Sequence, residues 1–138
     1  MDFKRMIDER NRSGFIDLCD IRVTEAREGY AKTQVTIAPM HINPFGIGHG
    51  GLTFTLADIT AGTAANSYGN KAATLDSTIN FFKPAKLGDV LTGEATMLNS
   101  GRTVKVVDVT ITNQDGVLVA KGTFTYYDLG LPLFDDEK

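Results

Sequence analysis

The chain has 138 residues, 42% of them hydrophobic and 22% charged, which suits one domain with its own core and excludes disordered and fibrous classes. A net charge of −3 offers no general attraction to nucleic acid or acidic membrane, and no uninterrupted apolar run of roughly 18 residues is present to span a bilayer. One cysteine, Cys19, precludes an internal disulfide; with His41 and His49 it shows no metal-ligand spacing, and without an apolar leader run the cytoplasm is the expected location.

Residues 1–14 read as an arm in which Phe3, Met6 and Ile7 stand among charges at the spacing of a short amphipathic helix. The stretch "FIDLCDIRVTEAREGYAKTQVTIA" (15–38) alternates apolar and polar residues about a turn at "REG" (27–29), and predicts a β-hairpin. Pro39 and Pro44 bracket an irregular loop containing "MHIN". From Gly50 to about Tyr68 there is no proline, and Leu52, Leu56, Ile59 and Thr63 fall near helical spacing. Small residues surround them: Ala57, Ala61, Gly62, Ala64 and Ala65. A helix without a charged outer face is enclosed by protein, so this one is expected to be central and buried.

Four strand-like runs follow: "AATLDSTINFFK", "VLTGEATMLN", "TVKVVDVTITN" and "VLVAKGTFTYYD". Turn chemistry joins them at "PAKLGD", "NSGR" and "NQDG", and short connections without helices predict antiparallel neighbours. The tail "GLPLFDDEK" reads as frayed. With no repeat or linker, residues 1–138 are expected to form one domain of the α+β class, a long helix wrapped by a curved antiparallel β-sheet.

Charge picks out the candidate site. Of the 38 residues between Lys32 and Lys71 only Asp58 is charged, where the overall composition predicts about eight. Its helical neighbours Phe54, Thr55, Ala61 and Gly62 include no cation. A carboxylate buried without a local partner suits general-base work near neutral pH; it equally suits a carboxylate tied to backbone or to a distant cation at a subunit contact. Just ahead, "HGG" sets His49, Gly50 and Gly51 at the helix start, where free N–H groups favour a carbonyl oxygen that becomes an oxyanion. Those glycines also simply permit a loop-to-helix turn. Asn43 can orient a water or a substrate through its amide, or serve its turn. Thr74 points from the next strand. Lys83, Lys86, Arg102, Lys105 and Lys121 lie near turns or strand ends, mostly as a solvated face. Cys19 has no nucleophile context and reads as structural.

The pattern "N43-PFGIG-H49-G50-G51-LTFTL-A57-D58" resembles that of the hotdog-fold acyl-CoA thioesterases, specifically the PaaI-like group of the phenylacetic acid pathway. "STINFFKPAKLGDVL" and "NSGRTVKVVDVTITNQDGVLVAKGTFTYY" are similar in register, so the resemblance covers roughly residues 30–128. Pro44 departs from the Gly or Ala that many members carry after the Asn, and stiffens the loop.

The resemblance implies two chains joined edge to edge into one sheet, as a homodimer or a homotetramer built of two dimers, with sites at the dimer interface. It makes Asp58 the nucleophile or the general base for water. The Gly50 amide, with His49 beside it, polarises the thioester carbonyl, and Asn43 from the opposite subunit helps to place the water. Thr74 matches the Ser or Thr common on the following strand. Coenzyme A enters as part of the substrate, beside Gly51 and with its phosphates near Lys83, Arg102 or Lys105; no metal or other cofactor is implied. A non-catalytic acyl-CoA-binding or sensing hotdog module is the alternative, and its weakness is that it would have no use for Asp58.

Overall fold

The computed structural model describes residues 1–137. The nearly charge-free run forms the helix around which the rest is arranged. In chain order the elements are α1 (Phe3–Asn11), α2 (Gly14–Leu18), β1 (Arg22–Arg27), β2 (Tyr30–Thr36), α3 (Gly50–Asn66), β3 (Asn70–Phe81), β4 (Val90–Ser100), β5 (Val104–Thr112) and β6 (Leu118–Pro132), with 3₁₀ turns at Pro39–His41 and Asp135–Glu137. The strands form one sheet in the order β1-β2-β4-β5-β6-β3, and every neighbouring pair is antiparallel. That is the α+β arrangement expected, with α3 lying across β2, β4, β5 and β3. No helix among the described residues is long and apolar enough to cross a membrane.

Alternation makes the core. Val35, Leu91, Val107, Val109, Ile111 and Phe124 turn one face of the sheet towards Leu56, Ala57, Ala61 and Ala64 of α3, all buried. Each large side chain so enclosed contributes about 1.5–3 kcal/mol of transfer free energy. Twelve of the 17 residues of α3 are buried; Gly50, Gly51, Phe54, Thr55 and Asp58, all in its N-terminal half, are not. The helix lies close to the sheet because β4 carries Gly93 at the crossing. A Cβ there would stand 2.6 Å from the Oγ1 atoms of both Thr33 and Thr60, which hydrogen-bond each other at 2.6 Å. The β1–β2 turn needs Gly29 for two reasons. Its φ is +75°, and a Cβ would meet the Tyr68 hydroxyl at 2.9 Å.

Two expectations about elements are corrected. Residues 15–18 are not strand but belong to α2, so the hairpin begins only at Arg22. "FIDL" fits a helical turn as well as an alternating strand. Here Ile16 turns inward while Phe15 and Leu18, three apart, share the exposed side. The tail is not frayed over its described residues. β6 runs on to Pro132, Leu133 N–H donates to the Gly69 carbonyl at 2.8 Å, and Phe134 is buried with the Arg5 guanidinium 4.1 Å above its ring. Arg5 also pairs with Asp136, and Lys71 with Asp135, so the N-terminal arm and the tail clasp each other. Lys138 lies outside the described residues. On the other side of α1, Asn11 exchanges hydrogen bonds with both backbone groups of Val23, tying the arm to β1.

Candidate active site

The loop before α3 is built to hold the helix start in place. The buried His41 accepts the Ala38 N–H at Nδ1, so Nε2 carries the proton and donates to the Cys19 carbonyl at 2.8 Å. His41 is therefore a framework residue. Its own carbonyl accepts from His49 N–H, and Gly48 N–H donates to Ala85, which locks the loop to the segment after β3. At the helix start, Leu52 and Thr53 N–H groups reach the His49 carbonyl, whereas Gly50 and Gly51 N–H find no acceptor among the described residues. Two free donors thus point out of a helix whose dipole favours negative charge there.

Gly50 lines a cleft of about 400 Å³ together with Asn43, Phe81, Phe82, Lys83 and Ala85. The Asn43 side-chain carbonyl accepts from Phe45 and Ile47 N–H at 2.9 and 3.2 Å, forming the turn, which leaves its NH₂ group without a partner among the described residues. Asn43 therefore serves both the turn and the cleft. The structure brings Asn43, Gly50 and Lys83 together. His49 and Gly51 face instead a neighbouring depression with Met40, Leu52 and Thr55, and the His49 imidazole makes no hydrogen bond among the described residues.

Asp58 lies two turns further along α3, about 12 Å from Gly50 at 1.5 Å per residue. Its Oδ1 accepts from Thr74 Oγ1 at 2.9 Å and from the Tyr126 hydroxyl at 2.7 Å. Tyr126 is a bifurcated donor, its oxygen also 2.8 Å from the Asp58 carbonyl. Oδ2 has no partner among the described residues, and no cation pairs with the carboxylate. Burial, and then the Asp58 charge, push the Tyr126 hydroxyl far above its ordinary pKa, so it remains a protonated donor. One carboxylate oxygen is fixed and the other is open. Arg10 lies at the same end, donating to Gly62 O at 3.5 Å and to Asn66 Oδ1. Its pKa is drawn down by burial and pushed back up by Tyr126 and Asp58.

The sequence reading missed Tyr126 and Arg10. One is an inward aromatic in an alternating strand; the other stands among the surface charges of the arm. Lys105 is a correction: it is not a surface cation. β5 alternation turns it inward, where Nζ lies 3.7 Å from Asp128 and donates to the Gly101 carbonyl at 3.2 Å, so its charge is neutralised within the fold. Arg102 is exposed in the β4–β5 turn, level with Ala73 through the Val104–Tyr127–Ala73 register, whereas Lys83 follows the far end of β3. A single chain does not bring Lys83 and Arg102 together. Lys121 is held by Asp108 at 2.9 Å. Among the described residues no group of three or more His, Cys, Asp and Glu side chains stands together to hold a metal ion.

The chain belongs to the thioesterase superfamily: that family's pattern matches residues 45–120, from the loop before α3 into β6. Within it the chain is a PaaI-like hotdog thioester hydrolase. It is 35% identical to acyl-coenzyme A thioesterase PaaI of Escherichia coli, over 72% of this chain and 71% of that one. The solved structure of E. coli PaaI, from the phenylacetic acid degradation operon, superimposes with a TM-score of 0.90 at 28% identity over 94% of each chain. A putative esterase of Archaeoglobus fulgidus is 33% identical over 80% of this chain and 72% of its own length. A hypothetical thioesterase of Streptococcus pneumoniae, solved with coenzyme A, is 38% identical over 81% of this chain and 90% of that one, with a TM-score of 0.78. Two further structures of the pneumococcal protein carry an aspartate-to-alanine and a threonine-to-alanine change, at positions sixteen residues apart.

Proposed function

We propose that this protein hydrolyses acyl-CoA thioesters at sites shared between two chains, with Asp58 as the reacting carboxylate. The observation that carries this is the Asp58 carboxylate itself: Oδ1 is fixed by two hydroxyl donors, and among the described residues Oδ2 has no partner and no cation pairs with the group. Its partner Thr74 stands sixteen residues on, the spacing of the aspartate and threonine replaced in the pneumococcal thioesterase. Coenzyme A bound to that relative supports a coenzyme A thioester as the substrate here. The lone free Cys19, with no internal disulfide possible, fits a cytoplasmic enzyme.

Sharing between chains is supported by the geometry of β3. It is an edge strand of 12 residues with Leu75 and Phe81 exposed, which invites pairing with another chain. Thr74 stands beside Asp58 at one end; Phe81 stands beside Gly50 at the other, where a Cβ on Gly50 would lie 3.8 Å from the Phe81 ring. Antiparallel pairing of two β3 strands about a two-fold axis at Thr78, with the extra residue of the bulge between Thr74 and Asp76 taken up, sets Thr74 of one chain opposite Phe81 of the other. The Asp58 of each chain then faces the Gly50–Asn43 cleft of its neighbour, and a homodimer carries two such sites, alone or within a homotetramer.

In the reaction, the thioester carbonyl oxygen accepts the Gly50 N–H, and the Asn43 NH₂ group steadies the water. Asp58 Oδ2 either attacks the carbonyl carbon or takes a proton from the water that does. As the new C–O bond forms, the π pair moves onto oxygen, where one such N–H donor is typically worth about 2.7–4 kcal/mol to the transition state. The C–S bond then breaks, and coenzyme A leaves as thiolate and takes up a proton; where water attacked, the acyl group departs directly as its acid, and where Asp58 attacked, water cleaves the acyl–Asp58 anhydride to release the acid and restore the carboxylate. Thiolate leaves readily, so the route uses no cofactor. Lys83 at the cleft and exposed Arg102 are the cations offered to the coenzyme A phosphates.

Release of free thiol from a panel of acyl-CoA esters tests this, with wild type run beside Asp58→Ala and Asp58→Asn. Hydrolysis of at least one ester, lost in both variants with binding kept, is the expected result. A folded wild type that binds acyl-CoA and hydrolyses none would leave the sensing module in its place.

A further inference from the structure

The sheet turns one face to α3 and the other outward. Most of the outward face is polar, with Glu94, Thr96, Asp108, Thr110, Lys121 and Thr123 on it. At one corner it is not. Val104, Tyr127 and Ala73 lie side by side on β5, β6 and β3, all outward and exposed, Tyr127 at 43% and Val104 at 39%. Arg102 stands at the edge of this corner in the β4–β5 turn, exposed and without a carboxylate partner among the described residues. That turn is braced from within: Lys105 Nζ donates to the Gly101 carbonyl at 3.2 Å, and Asp128 N–H to the Thr103 carbonyl at 2.7 Å. A cation is thus held at a fixed place beside an exposed aromatic ring.

Pairing of two β3 strands extends the corner onto a second chain. With Thr74 opposite Phe81 of the neighbouring chain, Ala73 stands opposite Phe82 of that chain, on the same outward face. Phe82 is exposed and lines both the Gly50–Asn43 cleft and a depression on the outward face with Thr78, Asn80 and Thr123. The cleft therefore rounds the end of β3, past Lys83, and meets Ala73, Tyr127 and Arg102 of the other chain. From Val104 to that Phe82 is three strand spacings, about 14 Å. We propose that this outward corner reads the nucleotide of the substrate: Tyr127 stacks on the adenine and Arg102 holds a phosphate of the coenzyme A whose thioester lies in the neighbouring chain's cleft. An exposed ring beside a fixed guanidinium matches a base beside a phosphate. The inference rests on the two-chain thioesterase site given above. It assigns Arg102 and Tyr127 to the same site as Asp58 of their own chain, and Lys83 to the same site as Asn43 of its own.

The test compares KM and kcat for one acyl-CoA and for the matching acyl-pantetheine, which keeps the thioester and lacks the nucleotide, in wild type, Arg102→Ala and Tyr127→Ala. Both side chains are exposed, so folding is not at stake. Wild type is expected to show a lower KM for the acyl-CoA, and each variant to lose roughly tenfold of that advantage. Added salt should erode the wild-type advantage more than that of Arg102→Ala. An advantage kept at its wild-type size in either variant overturns the inference. Its two-chain form has its own check. In a hybrid of an Asp58→Asn chain with an Asn43→Ala chain, the one intact site takes its carboxylate from the Asn43→Ala chain. Arg102→Ala carried by that chain is expected to raise KM for the acyl-CoA roughly tenfold. A rise seen only when the Asp58→Asn chain carries it sets Arg102 beside its own cleft and overturns the placement. Hybrids without activity, or hydrolysis that survives Asp58→Asn, overturn instead the reading beneath it.

Discussion

Thr74 and Tyr126 aim their hydroxyls at the same oxygen of Asp58, and this sets what each substitution does. A hydrogen bond to a charged group is worth about 1.5–3 kcal/mol, so Tyr126→Phe is expected to lower kcat by roughly ten- to a hundredfold with KM little changed. Thr74→Val should lower it similarly, while Thr74→Ser, which keeps the donor, retains most activity. Steady-state thiol release checks all three, and a Thr74→Val/Tyr126→Phe double variant should lose less than the product of the single losses, since both act on one atom. Asp58 and Thr74 could be singled out in the sequence, one by its solitude in a nearly charge-free run and the other by its place in a resembling motif. Tyr126 could not. In "TFTYYD" it is one inward residue of an alternating strand, and only the register of β6 against α3 distinguishes it from Tyr127, which faces out. Arg10 stood among six other charged residues of the first twelve, and local spacing does not show which of these turns inward.

At the scale of elements, the close approach of α3 to β4 is the feature most open to challenge by mutation. Gly93→Ala would place a methyl group 2.6 Å from two buried hydroxyl oxygens bonded to each other, so one of them must move. Overpacking of this kind costs about 1–3 kcal/mol, and urea unfolding should show a lower midpoint at unchanged slope. Phe134→Ala tests the clasp between arm and tail: deletion of a buried phenyl group costs about 3–5 kcal/mol, and a tail without its anchor should expose Arg5 and α1 to faster hydrogen exchange. The central helix and the antiparallel strands were legible because their periodicities run for many residues. α2 and the tail were not, for a common reason: five residues fit either period, and "GLPLFDDEK" has no pattern at all. Their order comes from contacts distant in sequence, Arg5 on Phe134 and Lys71 on Asp135, which no local reading supplies.

For the whole molecule the decisive matter is that one chain holds Asp58 and its hydroxyl donors at one end of β3 and the Gly50–Asn43 cleft at the other. If the site closes only between chains, inactivating each half on a different chain must be partly reversible by mixing. Asp58→Asn and Asn43→Ala homodimers should each have little activity. In a hybrid dimer both substitutions fall in the same site, and the other site is intact. Random exchange makes half of all dimers hybrids with one of two sites working, so mixing and re-equilibration should recover about a quarter of wild-type turnover per chain. A site contained within one chain would give no recovery, because every chain in the mixture carries a lesion. The same edge offers an independent check. Thr78→Arg places two like charges opposite each other near the proposed axis, far in sequence from Asp58, and should split the dimer. Sedimentation and thiol release must then fall together across a dilution series; a Thr78→Arg monomer with full turnover would place the whole site within a single chain.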